Sequence, residues 1–191
     1  MSGVVVRSLS GAQLLTRRED ARRVYAEAFA GPPWGEDASA ADRFVQRLAD
    51  DAARPGVTAA GVFRYGVLVG LATAWTTPTP FPSGRCYAQA QAALGADRTT
   101  GWLCGSREVD ELALARAARG QGAGAALLGA VTEGAPGGRC WLLTSVRARE
   151  AKAFYQRLGW APVTHPAPGG HGHVVFLGPA HPARSALAHP F

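Results

Sequence analysis

At 191 residues the chain is about 1.3 times a typical domain length, so one domain is expected and two full ones are not. With 47% hydrophobic and 18% charged residues and no long polar tract, the composition excludes a disordered chain, a collagen or a repeat array. The apolar runs are far shorter than the roughly 20 residues of a membrane helix. The first twenty residues lack the ordered basic, apolar and cleavage regions of a secretion signal, so a cytoplasmic protein is expected. A formal charge of +6 attracts polyanions, but the arginines are scattered without aromatic interleaving. A phosphate-bearing small molecule therefore fits the charge at least as well as DNA. Of twenty cationic residues only Lys152 is lysine, a bias of composition that carries no functional reading.

In chain order, Val4 to Leu9 is a β-branched run that predicts a first strand. Ala21, Tyr25, Ala28 and Phe29 recur at helical spacing until Gly31-Pro32-Pro33 stops them. Asp37 or Ser39 caps a second helix with the apolar stripe Ala41, Phe44, Leu48 and Ala52, ended by Pro55-Gly56. Val57 to Phe63 and Val67 to Trp75 flank the turn signal Arg64-Tyr65-Gly66. Residues 76–104 open with a proline-rich loop at Pro78, Pro80 and Pro82 and leave room for a short helix from Tyr87 to Leu94. Glu108 to Leu114 reads as a strand, followed by Arg119-Gly120-Gln121-Gly122-Ala123-Gly124 and a helical stripe of Ala123, Ala126, Leu127, Ala130 and Val131. After Gly137-Gly138 come a strand from Cys140 to Leu143, a helix from Arg149 to Leu158, and closing strands from Trp160 to Val163 and His173 to Leu177.

The strand, RGQGAG and helix sequence is the strongest chemical signal. Glycines let the backbone approach a ligand closely, and unpaired amides of a first helical turn attract a pyrophosphate. A dinucleotide fold is disfavoured because the loop follows four strands and position 125 is alanine. A phosphate loop of the Gly-Lys-Ser/Thr type is absent.

The pattern Arg119-x-x-Gly122-x-Gly124 after a central strand resembles the signature of the Gcn5-related N-acetyltransferase (GNAT) superfamily. A second motif of that family is matched by Phe154, Tyr155, Leu158, Gly159 and Trp160. The resemblance implies an α/β fold with a mixed sheet, about seven strands and four main helices, in the order β-α-α-β-β-β-α-β-α-β-β, as one domain over residues 1–191. It implies acetyl-CoA as co-substrate, with its pyrophosphate on the backbone of Arg119, Gly120, Gln121, Gly122, Ala123, Gly124 and Ala125. The pantetheine arm would pair with Leu112, Ala113 and Leu114. The chain departs from the family pattern at Arg116 and Ala148.

Acetyl transfer to an amine needs a base for the ammonium proton and an acid for the departing thiolate. Glu108, Asp110 and Glu111 crowd the start of the central strand. Alternation puts Glu108 and Asp110 on one face and Glu111 on the other, unless a bulge intervenes. Each of the three is a candidate base, and Tyr155 is the candidate acid. Trp34, Glu36, Trp75 and Tyr87 are candidates to shape an acceptor site, or packing residues. The expected partner is a small-molecule amine, with no nucleic acid and no membrane, and a homodimer is compatible. A protein or peptide amine, or a non-catalytic acyl-CoA-binding module, is the alternative.

Direct transfer fits better than a cysteine-acyl intermediate, because none of Cys86, Cys104 and Cys140 has a histidine within its segment. The three cysteines form no C-x-x-C and suggest neither a disulfide framework nor zinc. The five histidines, His165, His171, His173, His181 and His189, supply no convincing third ligand, so no metal is expected.

Overall fold

The computed structural model describes residues 3–84, 86–164 and 172–187. Its elements in chain order are β1 (Val5–Leu9), α1 (Gly11–Leu15), α2 (Arg18–Phe29), α3 (Ala38–Ala52), β2 (Thr58–Arg64), β3 (Val67–Thr76), α4 (Tyr87–Leu94) and α5 (Ala96–Arg98). There follow β4 (Arg107–Leu114), α6 (Ala123–Thr132), β5 (Cys140–Ser145), α7 (Arg149–Arg157), β6 (Ala161–Pro162) and β7 (His173–Leu177). All seven strands expected from the sequence are present, and the class is mixed α/β. The helices are more numerous than the four main ones expected, because α1, α4 and α5 add short segments. The chain divides into two compact units, Met1–Trp75 with Val109–Glu133, and Thr76–Glu108 with Gly134–Phe191.

In the first unit the strands run in the order β1-β2-β3-β4. Strand β1 pairs antiparallel with β2, Val5 opposite Phe63 and Leu9 opposite Ala59. Strand β2 pairs with β3 through a hairpin in which Arg64 faces Val67. The two turn residues, Tyr65 at φ 52° and Gly66 at φ 80°, are both left-handed, the twist that a two-residue hairpin requires. Helix α3 is capped by Asp37, whose carboxylate accepts from the amides of Ser39 and Ala40 at 3.0 and 3.3 Å. Asp37 thus caps α3, and Ser39 lies in its first turn. Helix α1 starts from a reciprocal cap: the Ser10 hydroxyl accepts from the Gln13 amide, and the Gln13 side chain accepts from the Ser10 amide. The core packs Leu14, Val24, Tyr25, Phe44 and Leu48 of the helices with Phe63, Leu68, Leu71 and Ala113 of the strands. Tyr25 stacks on Phe44 with ring centroids 4.6 Å apart.

In the second unit the order is β5-β7-β6. Strands β5 and β7 pair antiparallel from Trp141 opposite Leu177 to Ser145 opposite His173, and β6 adds two residues at the outer edge of β7. Trp141, Val175 and Leu177 pack against Tyr87, Ala90 and Leu94 of α4 and against Leu103. That contact folds the proline-rich 76–104 stretch down, which local periodicity alone does not place. No helix among the described residues is long and apolar enough to cross a membrane.

Candidate active site

The glycine loop in the first unit makes an open turn at the start of α6. Gly122 is the N-cap of α6 at φ 76°, ψ −4°, and Gly120 has φ 74°; a β-carbon built at either position meets nothing within 4 Å. The turn therefore leaves the space over the first helical turn open, where amide hydrogens have no partner one turn back. No acidic residue stands in that first turn to neutralise its partial positive charge. Ala123 and Gly124 are buried and Ala125 is half-buried.

The side chains around the loop are turned onto the protein and brace it. Arg119 donates to the carbonyls of Leu114 and Ala28 at 3.3 and 3.4 Å. Gln121 donates to the Ala117 carbonyl at 3.0 Å, and Arg64 donates to that same carbonyl at 2.8 Å and to the Gln121 side chain at 3.2 Å. The Arg116 amide donates to Glu27 at 2.7 Å. Arg64 and Glu27 are supports that sequence spacing could not reveal, since each bridges more than fifty positions. Just before the loop, Ala113 is fully buried while Leu112 and Leu114 are half-buried.

The three strand carboxylates have different surroundings. Glu111 belongs to the face of β4 that meets α3: its carboxylate accepts from Arg47 at 2.5 Å, and Arg47 is shared with Asp51 at 3.4 Å. Asp51 is held by Arg54 at 2.8 Å as well. Glu111 is thus part of a carboxylate and guanidinium chain whose acids are almost wholly shielded. Glu111→Ala should lower the unfolding free energy by about 2 to 3 kcal/mol, less than a fully buried pair because Arg47 keeps 30% of its side chain exposed. Urea titration of the variant measures it; an unchanged midpoint would show that the ion pair is neutral for stability.

Glu108 lies in the second unit and is 4% exposed. The Tyr87 hydroxyl donates to its Oε1 at 2.7 Å and the Thr77 hydroxyl to its Oε2 at 3.4 Å. Trp141 Nε1 in turn donates to Thr77 Oγ1 at 2.7 Å. The result is a buried relay of indole, hydroxyl, carboxylate and phenol, rimmed by Phe81, whose ring lies 5.3 Å from Tyr87 and 6.0 Å from Trp141. Thr77 and Trp141 gave no signal in the sequence; both are ordinary strand or strand-end residues until the fold brings them together. Asp110, by contrast, is half-buried.

Of the residues considered for an acceptor site, Tyr87 alone meets a candidate base. Trp75 is fully buried with the Arg54 guanidinium over its ring at 4.4 Å, and Trp34 packs edge-on against Phe29 at 5.5 Å. Glu36 bonds the Tyr25 phenol, whose pKa burial raises well above the ordinary value. Tyr155, in α7, is buried among Phe154, Trp160 and Phe176 with centroids 5.3, 6.2 and 5.8 Å away.

Among the described residues, no group of three or more histidines, cysteines or acids could hold a metal ion. His165, His171 and His189 lie outside the described residues. His181 is buried, its Nε2 2.9 Å from the Trp102 carbonyl oxygen.

A family model for the acetyltransferase (GNAT) domain matches residues 83–162, the stretch that contains every candidate catalytic and cofactor-binding residue named above. The family is GNAT. Solved GNAT-type structures share the whole fold with this chain at low identity. One, a histone acetyltransferase HPA2 and related acetyltransferase from Corynebacterium glutamicum, is 19% identical with a TM-score of 0.62, covering 94% of this chain and 97% of its own. A PaiA N-acetyltransferase from Thermoplasma acidophilum in complex with coenzyme A is 15% identical at a TM-score of 0.54, over 91% and 98%. The aminoglycoside N-acetyltransferase AAC(6')-Iy in complex with CoA is 16% identical at 0.56, over 86% and 91%. No curated protein matches the sequence. The GNAT likeness at these identities is one of fold.

Proposed function

We propose that this chain is an N-acetyltransferase that moves an acetyl group from acetyl-CoA to a primary amine of a small molecule by direct transfer, as one GNAT domain. The observation that carries the reading is the open left-handed glycine turn capping α6, inside the stretch matched by the GNAT family model. Its shape, lack of first-turn acids and braced side chains fit a pyrophosphate held by backbone amides of residues 119–125. The CoA complexes of two structures with this fold support the same donor. When bound, acetyl-CoA supplies an activated thioester carbonyl. The backbone of Leu112 to Leu114, in β4 just before the loop, would pair with the arm in strand fashion.

Of the three carboxylates, we assign Glu108 as base ahead of Asp110 and Glu111. The Glu108 carboxylate accepts from the Tyr87 hydroxyl, whereas Glu111 is engaged by the Arg47 guanidinium. Tyr155 gives its phenolic proton to the departing thiolate. Tyr155→Phe removes only the hydroxyl from a ring that keeps its packing, so kcat should fall by about 10²-fold with acetyl-CoA affinity unchanged. Wild-type turnover would make Tyr155 a core residue. Direct transfer itself is tested by initial velocities at varied acetyl-CoA and amine: intersecting double-reciprocal lines are expected, and parallel lines would overturn the direct step.

A further inference from the structure

Cys86, His173 and Gln89 form a cluster that the transfer reaction above does not use. Cys86 is the N-cap of α4, Gln89 lies in the first turn of the same helix, and His173 opens β7. Cys86 Sγ is 3.5 Å from His173 Nε2, and His173 Nδ1 is 3.1 Å from Gln89 Oε1. An amide oxygen only accepts, so Nδ1 carries the ring proton and Nε2 turns its lone pair toward the thiol. Nucleophile, base and orienting group are thus in hydrogen-bonding sequence. The histidine that the Cys86 segment lacks is supplied from 87 positions away by the pairing of β7 with β5.

The surroundings favour reaction at this thiol. Cys86 stands at the positive end of an eight-residue helix with no acid in its first turn, which stabilises a thiolate. It is half-buried and in no disulfide, so a reagent can reach it. Desolvation lowers the His173 pKa below the ordinary histidine value, so the ring is the neutral base at neutral pH. Cys140 is the contrast within the same unit: it is buried, and burial pushes its thiol up to about 11.

We propose that Cys86 is an acyl-accepting thiol, a modification site for acyl thioesters, with His173 as its base and Gln89 as a positioning residue. The thiol proton passes to His173 Nε2 as sulfur attacks the thioester carbonyl. The new carbon–sulfur bond forms, the bond to the departing thiol breaks, and His173 returns the proton to that leaving thiolate. One thioester replaces another, so no oxidant or reductant enters. That acetyl-CoA is the thioester this chain meets rests on the function proposed above; the thiol chemistry does not.

The test incubates the intact protein, without amine, with S-acetyl-N-acetylcysteamine and separately with acetyl-CoA, followed by acid quench, intact mass and peptide mapping. One acetyl group is expected on Cys86, removed by neutral hydroxylamine, absent in Cys86→Ala, and formed about 10²-fold more slowly in His173→Ala. Gln89→Ala should slow the reaction and Gln89→Glu restore it by keeping an acceptor oxygen, a pattern that packing alone does not produce. A second measurement needs no variant: iodoacetamide at neutral pH should label Cys86 before Cys104 and Cys140, and faster than it labels glutathione. No acetyl on Cys86 from either thioester, or labelling no faster than glutathione, overturns the proposal. An amine acetylated from acetyl-CoA with no adduct on Cys86 overturns it while leaving the proposed function standing. An adduct from the small thioester without any amine acetylation supports it and counts against that function.

Discussion

Gly122→Asp should abolish measurable acetyl-CoA binding, a loss of at least about 10²-fold in Kd or about 2.7 kcal/mol. Gly122 caps α6 in the left-handed region with open space where a β-carbon would stand, so the new carboxylate projects over the first helical turn. There it accepts the amides meant for a pyrophosphate and repels the pyrophosphate charge as well. Aspartate tolerates left-handed backbone better than most residues, at a cost of about 1 to 2 kcal/mol, so the protein should still fold. Gly122→Asn adds nearly the same volume without the charge and should retain part of the affinity. Gly124→Asp should abolish binding too, but Gly124 is buried and its variant should also lose thermal stability. Titration calorimetry with unchanged affinity in both aspartate variants would place the pyrophosphate elsewhere.

Glu108→Gln should lower kcat by about 10² to 10⁴-fold. The amide nearly preserves shape, but its NH2 group cannot accept, so either the Tyr87 or the Thr77 hydroxyl must turn away from it. A neutral amide takes no proton from an ammonium group, and the defect should shrink at high pH, where more of the acceptor is already a free amine. Lost attraction for the ammonium form raises KM, whereas lost base chemistry lowers kcat, so separate measurement distinguishes them. Asp110→Asn should have a smaller effect than Glu108→Gln. If no single carboxamide variant of Glu108, Asp110 or Glu111 lowers kcat, the carboxylates are structural and water is the base.

Both predictions rest on features that differ in how far the sequence announces them. The glycine loop was legible because its signal is local: a strand period ends, three glycines intervene, and a helical period begins within twenty residues. The seven strands were legible for the same reason, as was the cap of α3, narrowed to Asp37 and Ser39, the two polar residues on either side of Ala38. The Ser10 and Gln13 cap of α1 escaped notice because a five-residue helix has no apolar period to flag it.

Residues 76–104 were the least legible stretch. Helix α4, Tyr87-Ala-Gln-Ala-Gln-Ala-Ala-Leu94, carries mostly alanine and glutamine, so its buried side shows only as Tyr87, Ala90 and Leu94 once Trp141 and Leu177 pack on it. The same packing brings the Tyr87 phenol to Glu108 and Cys86 to His173, contacts across 21 and 87 positions that no window of local sequence contains. The different surroundings of Glu108 and Glu111 follow from the two-residue period of β4. Their hydroxyl and guanidinium partners had to come from the fold.

The central claim is amine acetylation, and it is tested most directly by following CoA release from acetyl-CoA against a panel of aminoglycosides, polyamines, amino acids and peptides, with mass spectrometry of each acceptor. At least one small amine should gain one acetyl group for each CoA released, at a rate that falls by about 10²-fold or more in Glu108→Gln. Tight binding of acetyl-CoA with no CoA release above the rate of hydrolysis across the panel would contradict the account and leave an acyl-CoA-binding module.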